Sequence, residues 1–292
     1  DRFCAGEFVW TGIDYLGEPT PFIKWFEAMK SVPDAELPRS SSFGICDLMC
    51  LPKDRFYLYR AHWNPEATTV RLLPHWNWRP EDCARMPGSG KTTDKVPVYL
   101  YTNGDEAELF LNGRSLGRRK KATGSFAADF REGRLDSDDF RTNGYYAVCD
   151  KYRFRWLDVA YEPGEVKAVC YRGGRKVGEG VVRTAGPAAG LRLVRDPYSA
   201  ADARTIFVRV EAVDGMGVVQ PLSAERISFA VFGDGELVAV GNGNARDYES
   251  FGQTGSHRLY YGRCVAVVRR RGNGRLVVRA SGVSLGTAEL TL

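Results

Sequence analysis

Polar and apolar positions change rhythm along this chain, and the change divides it into three stretches. In residues 1–66 the pattern is mixed. Phe8-Val9-Trp10 reads as a short apolar strand ended by Thr11-Gly12, and a helical pattern lies near Phe22–Met29. A proline-rich loop covers Pro33–Ser42. Pro52-Lys53-Asp54 then reads as a helix start, because proline suits a first turn and an acidic residue there opposes the helix dipole. Phe56, Tyr57, Tyr59 and Trp63 follow along one side, predicting an amphipathic helix whose apolar face needs a partner. One strand and one or two helices cannot bury themselves, so this stretch reads as the edge of a larger α/β domain.

From about residue 67 the period becomes two. Val96–Thr102, Asn103-Gly104, Glu106–Leu111 and Asn112-Gly113 read as strand, turn, strand, turn, since Asn-Gly favours the tight hairpin turns. Tyr152, Phe154 and Trp156 alternate with Arg153 and Arg155 as in a half-buried strand. Pro163-Gly164 and Gly173-Gly174 punctuate Val166–Tyr171 and Lys176–Thr184. Small, turn-rich residues 185–190 read as a linker. Beyond them lie further strands: Leu191–Val194, Ile206–Val213, Ile227–Phe232, Leu237–Val240, Cys264–Val268 and Leu276–Ala280. Gly233-Asp234-Gly235 and Gly272-Asn273-Gly274 read as hairpin turns among them. The expected fold class is mainly β: two immunoglobulin-like β-sandwiches in tandem, at 67–185 and 190–292, after a short α/β remnant at 1–66.

Composition narrows the function classes. A hydrophobic share of 43% supplies packed cores and excludes wholesale disorder. No apolar run approaches the ~18–20 residues of a membrane helix. The net charge of +5 is too small for a nucleic-acid footprint, and the clusters at 118–121 and 269–271 lie beside turn residues, as solvated hairpin ends do. The seven cysteines include no C-x-x-C pair, and the three histidines lie far apart. Neither a zinc site nor a cofactor is expected, and the cysteines read as free thiols.

The ordered series Gly6-Glu7-Phe8-Val9-Trp10-Thr11-Gly12-Ile13-Asp14-Tyr15-Leu16-Gly17-Glu18-Pro19-Thr20, then Arg39–Leu48, Pro52-Lys53-Asp54, Leu73–Trp78, Val98–Asn103 and Glu108–Gly113 resembles the C-terminal region of family 2 glycoside hydrolases of the bacterial β-galactosidase type. Ala239–Asn244 is similar to a segment of the sandwich domains that end such enzymes. The resemblance implies that residues 1–66 are the last strand and helix of a (β/α)₈ catalytic barrel. It further implies that the parent is a retaining exo-glycosidase acting on β-galactosides, exported to the periplasm or beyond. Its general acid/base and nucleophile glutamates would lie upstream, so no catalytic residue is expected in this chain and the chain alone should be inactive. The implied partners are a carbohydrate and an upstream barrel domain.

Since barrel active sites lie at the carboxyl ends of strands, Trp10 is a candidate floor or wall for the sugar, or else a barrel-core tryptophan. Asp14 and Glu18 invite a catalytic reading. Retaining chemistry, however, needs two carboxyl groups about 5–5.5 Å apart with split pKa values, and nothing visible separates these two. Asp14 is read instead as orienting a sugar hydroxyl or a loop backbone. Trp76 and Trp78, two apart, would share one strand face with His75 on the other, either stacking on sugars or plugging one sheet against the neighbouring domain. The alternatives to a subsite-finishing role are a carbohydrate-binding module and a structural spacer.

Overall fold

The computed structural model describes residues 5–6, 8–20, 23–25, 27–79, 82, 94–122, 150–200, 202–252 and 255–292. It divides into two compact units, one of residues 54–184 and one joining residues 1–53 to 185–292. Among the described residues no helix is long and apolar enough to cross a membrane.

The unit of residues 54–184 opens with helix α1 (Asp54–Trp63). It starts where the proline and Asp54 place it, but it is not amphipathic. Ala61 is its buried residue, while Trp63 stays 67% exposed, so the apolar side chains are spread around the helix instead of forming one stripe. Among the described residues seven strands follow: β1 (Val70–Leu73), β2 (Lys95–Thr102), β3 (Glu106–Leu111), β4 (Arg114–Lys120), β5 (Phe154–Ala160), β6 (Glu165–Arg172) and β7 (Arg175–Arg183). They form two antiparallel sheets, ordered β1-β2-β5 and β4-β3-β6-β7. The period-two pattern does what it predicts. Val96, Val98 and Leu100 of β2, Ala107, Leu109 and Leu111 of β3, and Phe154 and Trp156 of β5 all point into one core. β1 crosses close over β7: a Cβ at Gly180 would stand 2.8 Å from Val70, so a side chain there would push the crossing apart.

Two turns in this unit show how alike the sequence of a hairpin and of a sheet-to-sheet crossing can be. Asn112-Gly113 joins paired β3 and β4, and both residues have positive φ (49° and 81°), as a tight hairpin requires. Asn103-Gly104, expected as a second hairpin, instead carries the chain from β2 to β3 in different sheets. Its asparagine serves another purpose: Oδ1 accepts from the Thr69 N–H at 3.2 Å and Nδ2 donates to Ala67 O at 2.9 Å, tying down the entry to β1.

The other unit contains a second sandwich. Its strands are β8 (Ala188–Arg195), β9 (Thr205–Asp214), β10 (Arg226–Gly233), β11 (Gly235–Gly241), β12 (Ser256–Arg258), β13 (Arg263–Arg270), β14 (Leu276–Gly282) and β15 (Gly286–Thr291). The sheets run β12-β10-β14-β15 and β11-β13-β9-β8 around a core that includes Val208, Val210, Ile227, Ala266, Leu276 and Val278. The expected linker at 185–190 is partly strand, since β8 begins at Ala188. Both glycine-rich turns, 233–235 and 272–274, prove to be crossings between sheets rather than hairpins. They meet each other: Gly274 N–H donates to Asp234 Oδ2 at 2.6 Å, and Asp234 N–H donates to Arg275 O at 3.0 Å.

In residues 5–53 the described backbone is irregular. The expected strand Phe8–Trp10 has no ladder, and Phe8 is fully exposed. The helical pattern near Phe22–Met29 appears only as a 3-10 turn at Glu27–Met29; residues 21, 22 and 26 lie outside the described residues. This segment packs on the second sandwich. Met49 joins Val265 and Val267 in a small core with Leu51 and Phe251 against it.

Candidate functional site

The segment bearing Trp10 and Asp14 is held by backbone bonds to residues 39–46. Ile45 N–H donates to Thr11 O at 3.0 Å, Cys46 N–H to Gly12 O at 2.9 Å, and Asp14 N–H to Cys46 O at 3.0 Å. Further along, Ser41 N–H donates to Tyr15 O, and Gly17 N–H donates to Arg39 O at 2.8 Å. The segment is not a strand, yet these backbone bonds tie it down along its length.

Asp14 is the buried charge at the centre. Its side chain is 7% exposed, and Lys53 Nζ lies 2.9 and 2.8 Å from its two oxygens. Gly44 N–H also donates to Oδ1, at 2.7 Å. Gly44 has to be glycine, because a Cβ there would lie 2.2 Å from Asp14 N and 2.4 Å from Cys46 O. Lys53 also donates to Ser42 O at 3.1 Å. Asp14 thus clamps the 42–53 loop against its own. The next turn is built by Asp47, whose Oδ1 accepts from the Met49 and Leu51 N–H groups at 2.9 Å each. Burial pushes the Asp47 carboxyl up, and those two backbone donors oppose the rise.

Trp10 is 71% exposed and belongs to none of the buried clusters among the described residues. Its peptide bond to Thr11 is cis. Its Nε1–H donates to Tyr15 Oη at 3.1 Å, and the two rings meet edge to face, 6.2 Å between centroids at 85°. Tyr15 Oη in turn donates to Glu18 Oε2. That hydrogen bond is the largest cause holding the Tyr15 phenol above its ordinary pKa. Glu18 has a left-handed φ of 46°, which turns its side chain back toward Tyr15. Asp14 and Glu18 therefore have separate work, one with a lysine and the other with a phenol.

Residues 33–41 are fixed in turn to the loop after β11. Arg39 N–H donates to Ala245 O at 2.8 Å, and Arg39 Nη2 to Glu249 O at 2.9 Å. The guanidinium lies 5.7 Å from the ring centres of both Tyr248 and Phe251. Tyr248 Oη donates to Leu37 O at 3.2 Å.

Trp76 and Trp78, in the other unit, do not form a shared aromatic face. Residues 74–78 are not a strand, so two-residue spacing does not align them. Trp76 is 1% exposed in the core, with Nε1–H donating to Glu162 O at 2.8 Å. Trp78 stacks on His75, 4.5 Å between centroids at 11°, and donates to His75 O at 2.6 Å. His75, expected on the opposite side, is thus Trp78's neighbour. Burial lowers the His75 pKa to about 4, with the Asp82 charge acting weakly against it.

Sequence reasoning missed Lys53 and Arg39. Lys53 read only as part of a helix start, and nothing in the sequence announces its pairing with Asp14, 39 residues earlier. Among the described residues no group of His, Cys, Asp and Glu side chains could hold a metal ion.

Comparison with known proteins agrees with this architecture. A model described as a domain of unknown function (DUF4982) matches residues 93–178, and the glycoside hydrolase family 2 C-terminal domain 5 matches residues 191–291. This chain belongs to the C-terminal region of family 2 glycoside hydrolases. It is similar to the β-galactosidase BoGH2A of Bacteroides ovatus, 32% identical over 99% of this chain and 28% of that enzyme. It is also similar to a β-glucuronidase of Formosa agariphila, 26% identical over 68% of this chain and 16% of the other. Among solved structures, a family 2 glycosyl hydrolase from Bacteroides cellulosilyticus superposes with a TM-score of 0.70. It is 26% identical, over 98% of this chain and 36% of that one. The chain therefore spans about a third or less of the length of these relatives.

Proposed function

We propose that this chain is the C-terminal part of a retaining exo-glycosidase that hydrolyses β-galactosides. In this reading the sandwiches are structural and the Trp10 loop finishes the sugar subsite. The observation that carries the reading is the end-to-end similarity to a β-galactosidase, 32% identity along 99% of the chain. The exposed indole of Trp10 is the feature a sugar's apolar face would meet. Asp14 serves by fixing the loop that carries this ring, through Gly44 and Lys53. The general acid/base and the nucleophile belong to the upstream barrel.

The β-glucuronidase among the relatives favours a second substrate, a β-glucuronide, on the same machinery. Aryl β-galactoside and aryl β-glucuronide, each offered to the chain alone and to the longer enzyme containing it, separate the readings. Galactoside turnover by the longer enzyme and none by the chain is expected. Turnover by the chain alone, abolished by substitution at Asp14 or Glu18, would overturn the assignment of catalysis to the barrel. Preference for the glucuronide would replace the substrate.

A further inference from the structure

We propose that Tyr15 and Glu18 are positioning residues that hold the Trp10 indole in place before any sugar arrives. This rests on the reading of Trp10 as the sugar-facing ring. At 71% exposure the indole has little packing among the described residues to fix its rotamer. What restrains it is polar: Nε1–H donates to Tyr15 Oη, and the edge-to-face contact sets the angle between the rings. A phenol can turn its single O–H either way. Glu18 settles the direction, because its carboxyl oxygen Oε2 accepts the phenol O–H. With the phenol proton committed to Glu18, the lone pairs of Oη are left for the indole, and each bond polarises the next.

The anchor of this relay is itself fixed. Tyr15 N–H donates to Ser41 Oγ at 3.1 Å, and Tyr15 O accepts from Ser41 N–H. Gly17 N–H is tied to Arg39 O, so the backbone on both sides of Leu16 is bonded to residues 39–41. The left-handed φ of Glu18 then returns its carboxylate to Tyr15. The arrangement costs binding nothing at the moment of encounter, since the ring is already ordered. Without it, the sugar would have to order the ring on arrival. Immobilising one such side chain corresponds to roughly a 2- to 10-fold change in affinity.

The test has two arms. In the uniformly ¹⁵N-labelled 292-residue chain, the Trp10 indole N–H resonance is assigned by its loss in Trp10→Phe. Tyr15→Phe should shift that resonance upfield and speed its exchange with water, leaving the Trp76 and Trp156 resonances unmoved. Glu18→Ala should do the same in part, and Glu18→Gln, whose amide oxygen still accepts, should restore most of the original position. An unmoved Trp10 resonance in Tyr15→Phe would overturn the proposal. In the longer enzyme, Tyr15→Phe and Glu18→Ala should raise KM for an aryl glycoside roughly 2- to 10-fold with kcat nearly unchanged, and Glu18→Gln should recover it. A Trp10→Ala variant with normal kinetics would show that the ring does not meet the sugar, which removes the underlying reading. A damaged Trp10→Ala beside a normal Tyr15→Phe would leave that reading standing and overturn the positioning role alone.

Discussion

Removing Lys53 should destabilise the Trp10 loop more than neutralising Asp14 does, and the difference follows from which partner is left buried. In Lys53→Met, the Asp14 carboxyl is left without its lysine at 7% exposure, with Gly44 N–H as a remaining donor. At about 3 Å and an effective dielectric of ~20, the lost attraction is roughly 6 kcal/mol before desolvation is subtracted. Breaking a buried pair by removing one member costs about 3–5 kcal/mol. The 30% exposure of Lys53 means the pair is already partly hydrated, which points to the lower end, about 3 kcal/mol. In Asp14→Asn the amide oxygen still accepts from Gly44, and Lys53 can turn to water while keeping Ser42 O, so about 1–2 kcal/mol is expected. The double variant should cost about as much as Asp14→Asn alone, because the stranded charge is gone. Amide exchange reads this locally. The Asp14, Ile45 and Cys46 N–H groups, which close the loop, should exchange roughly a hundredfold faster in Lys53→Met. Additive costs in the double variant would refute the clamp. So would an Asp14→Asn that leaves exchange unchanged but abolishes sugar binding, for then the carboxylate reads the sugar.

Three further outcomes follow from buried groups elsewhere. Glu211, its side chain 3% exposed, faces Arg192 at 2.7 Å and Arg209 and Arg263 at 3.0 Å each, so Glu211→Gln should cost the second sandwich about 3–5 kcal/mol by thermal unfolding. Burial pushes this carboxyl up, but the guanidiniums of Arg209 and Arg263 and the Arg192 hydrogen bond outweigh it. Its folded pKa is therefore below the ordinary 4.5, and the stabilisation should vanish as pH falls from about 4.5 through that lowered value. His75 has the opposite chemistry in the same direction of pH. With a folded pKa of about 4 against an ordinary 6.5, the unfolded chain binds the extra proton between those values, so Tm should fall on acidification from 6.5 to 4, and His75→Phe should flatten that slope. Trp76→Ala should cost the first sandwich about 3–5 kcal/mol while leaving glycosidase kinetics of the longer enzyme intact; a kinetic loss without a stability loss would refute its core role.

Much of the strand content was legible because half-buried strands alternate. Glu106–Leu111 could be read with its inward Ala107, Leu109 and Leu111, and Phe154 and Trp156 with their outward arginines. The pairing was less legible. Asn103-Gly104 and Asn112-Gly113 have the same two residues, yet one crosses between sheets and the other closes a hairpin. The dipeptide permits a reversal, but Asn103 is held by Ala67 and Thr69, more than thirty residues away, and local sequence carries no trace of that. The helix at 54–63 shows a related limit. Its start is written in Pro52-Lys53-Asp54, whereas the face it buries depends on what packs there, and Ala61 rather than Trp63 goes inside. Trp76 and Trp78 were misaligned for a simpler reason: a spacing of two places residues on one face only where the backbone is a strand.

The candidate site was legible in its residues and not in its supports, and that difference has a consequence for what the second sandwich does. Trp10 and Asp14 stand in one short run of sequence, but among the described residues no apolar core includes that run. It is held by hydrogen bonds to residues 39–46, and these are held to Ala245 and Glu249 beyond β11. Arg39 joins the two levels. Its carbonyl accepts from Gly17 on one side, its guanidinium lies by Tyr248 and Phe251 on the other, and Met49 adds an apolar tie to Val265 and Val267. Because buried backbone groups must be paired, displacing the 242–251 loop would strand Arg39 and loosen the Gly17 end of the loop that carries Tyr15 and Glu18. In the proposed reading of Trp10 as the sugar-facing ring, the last sandwich then belongs to the framework that holds the loop carrying it.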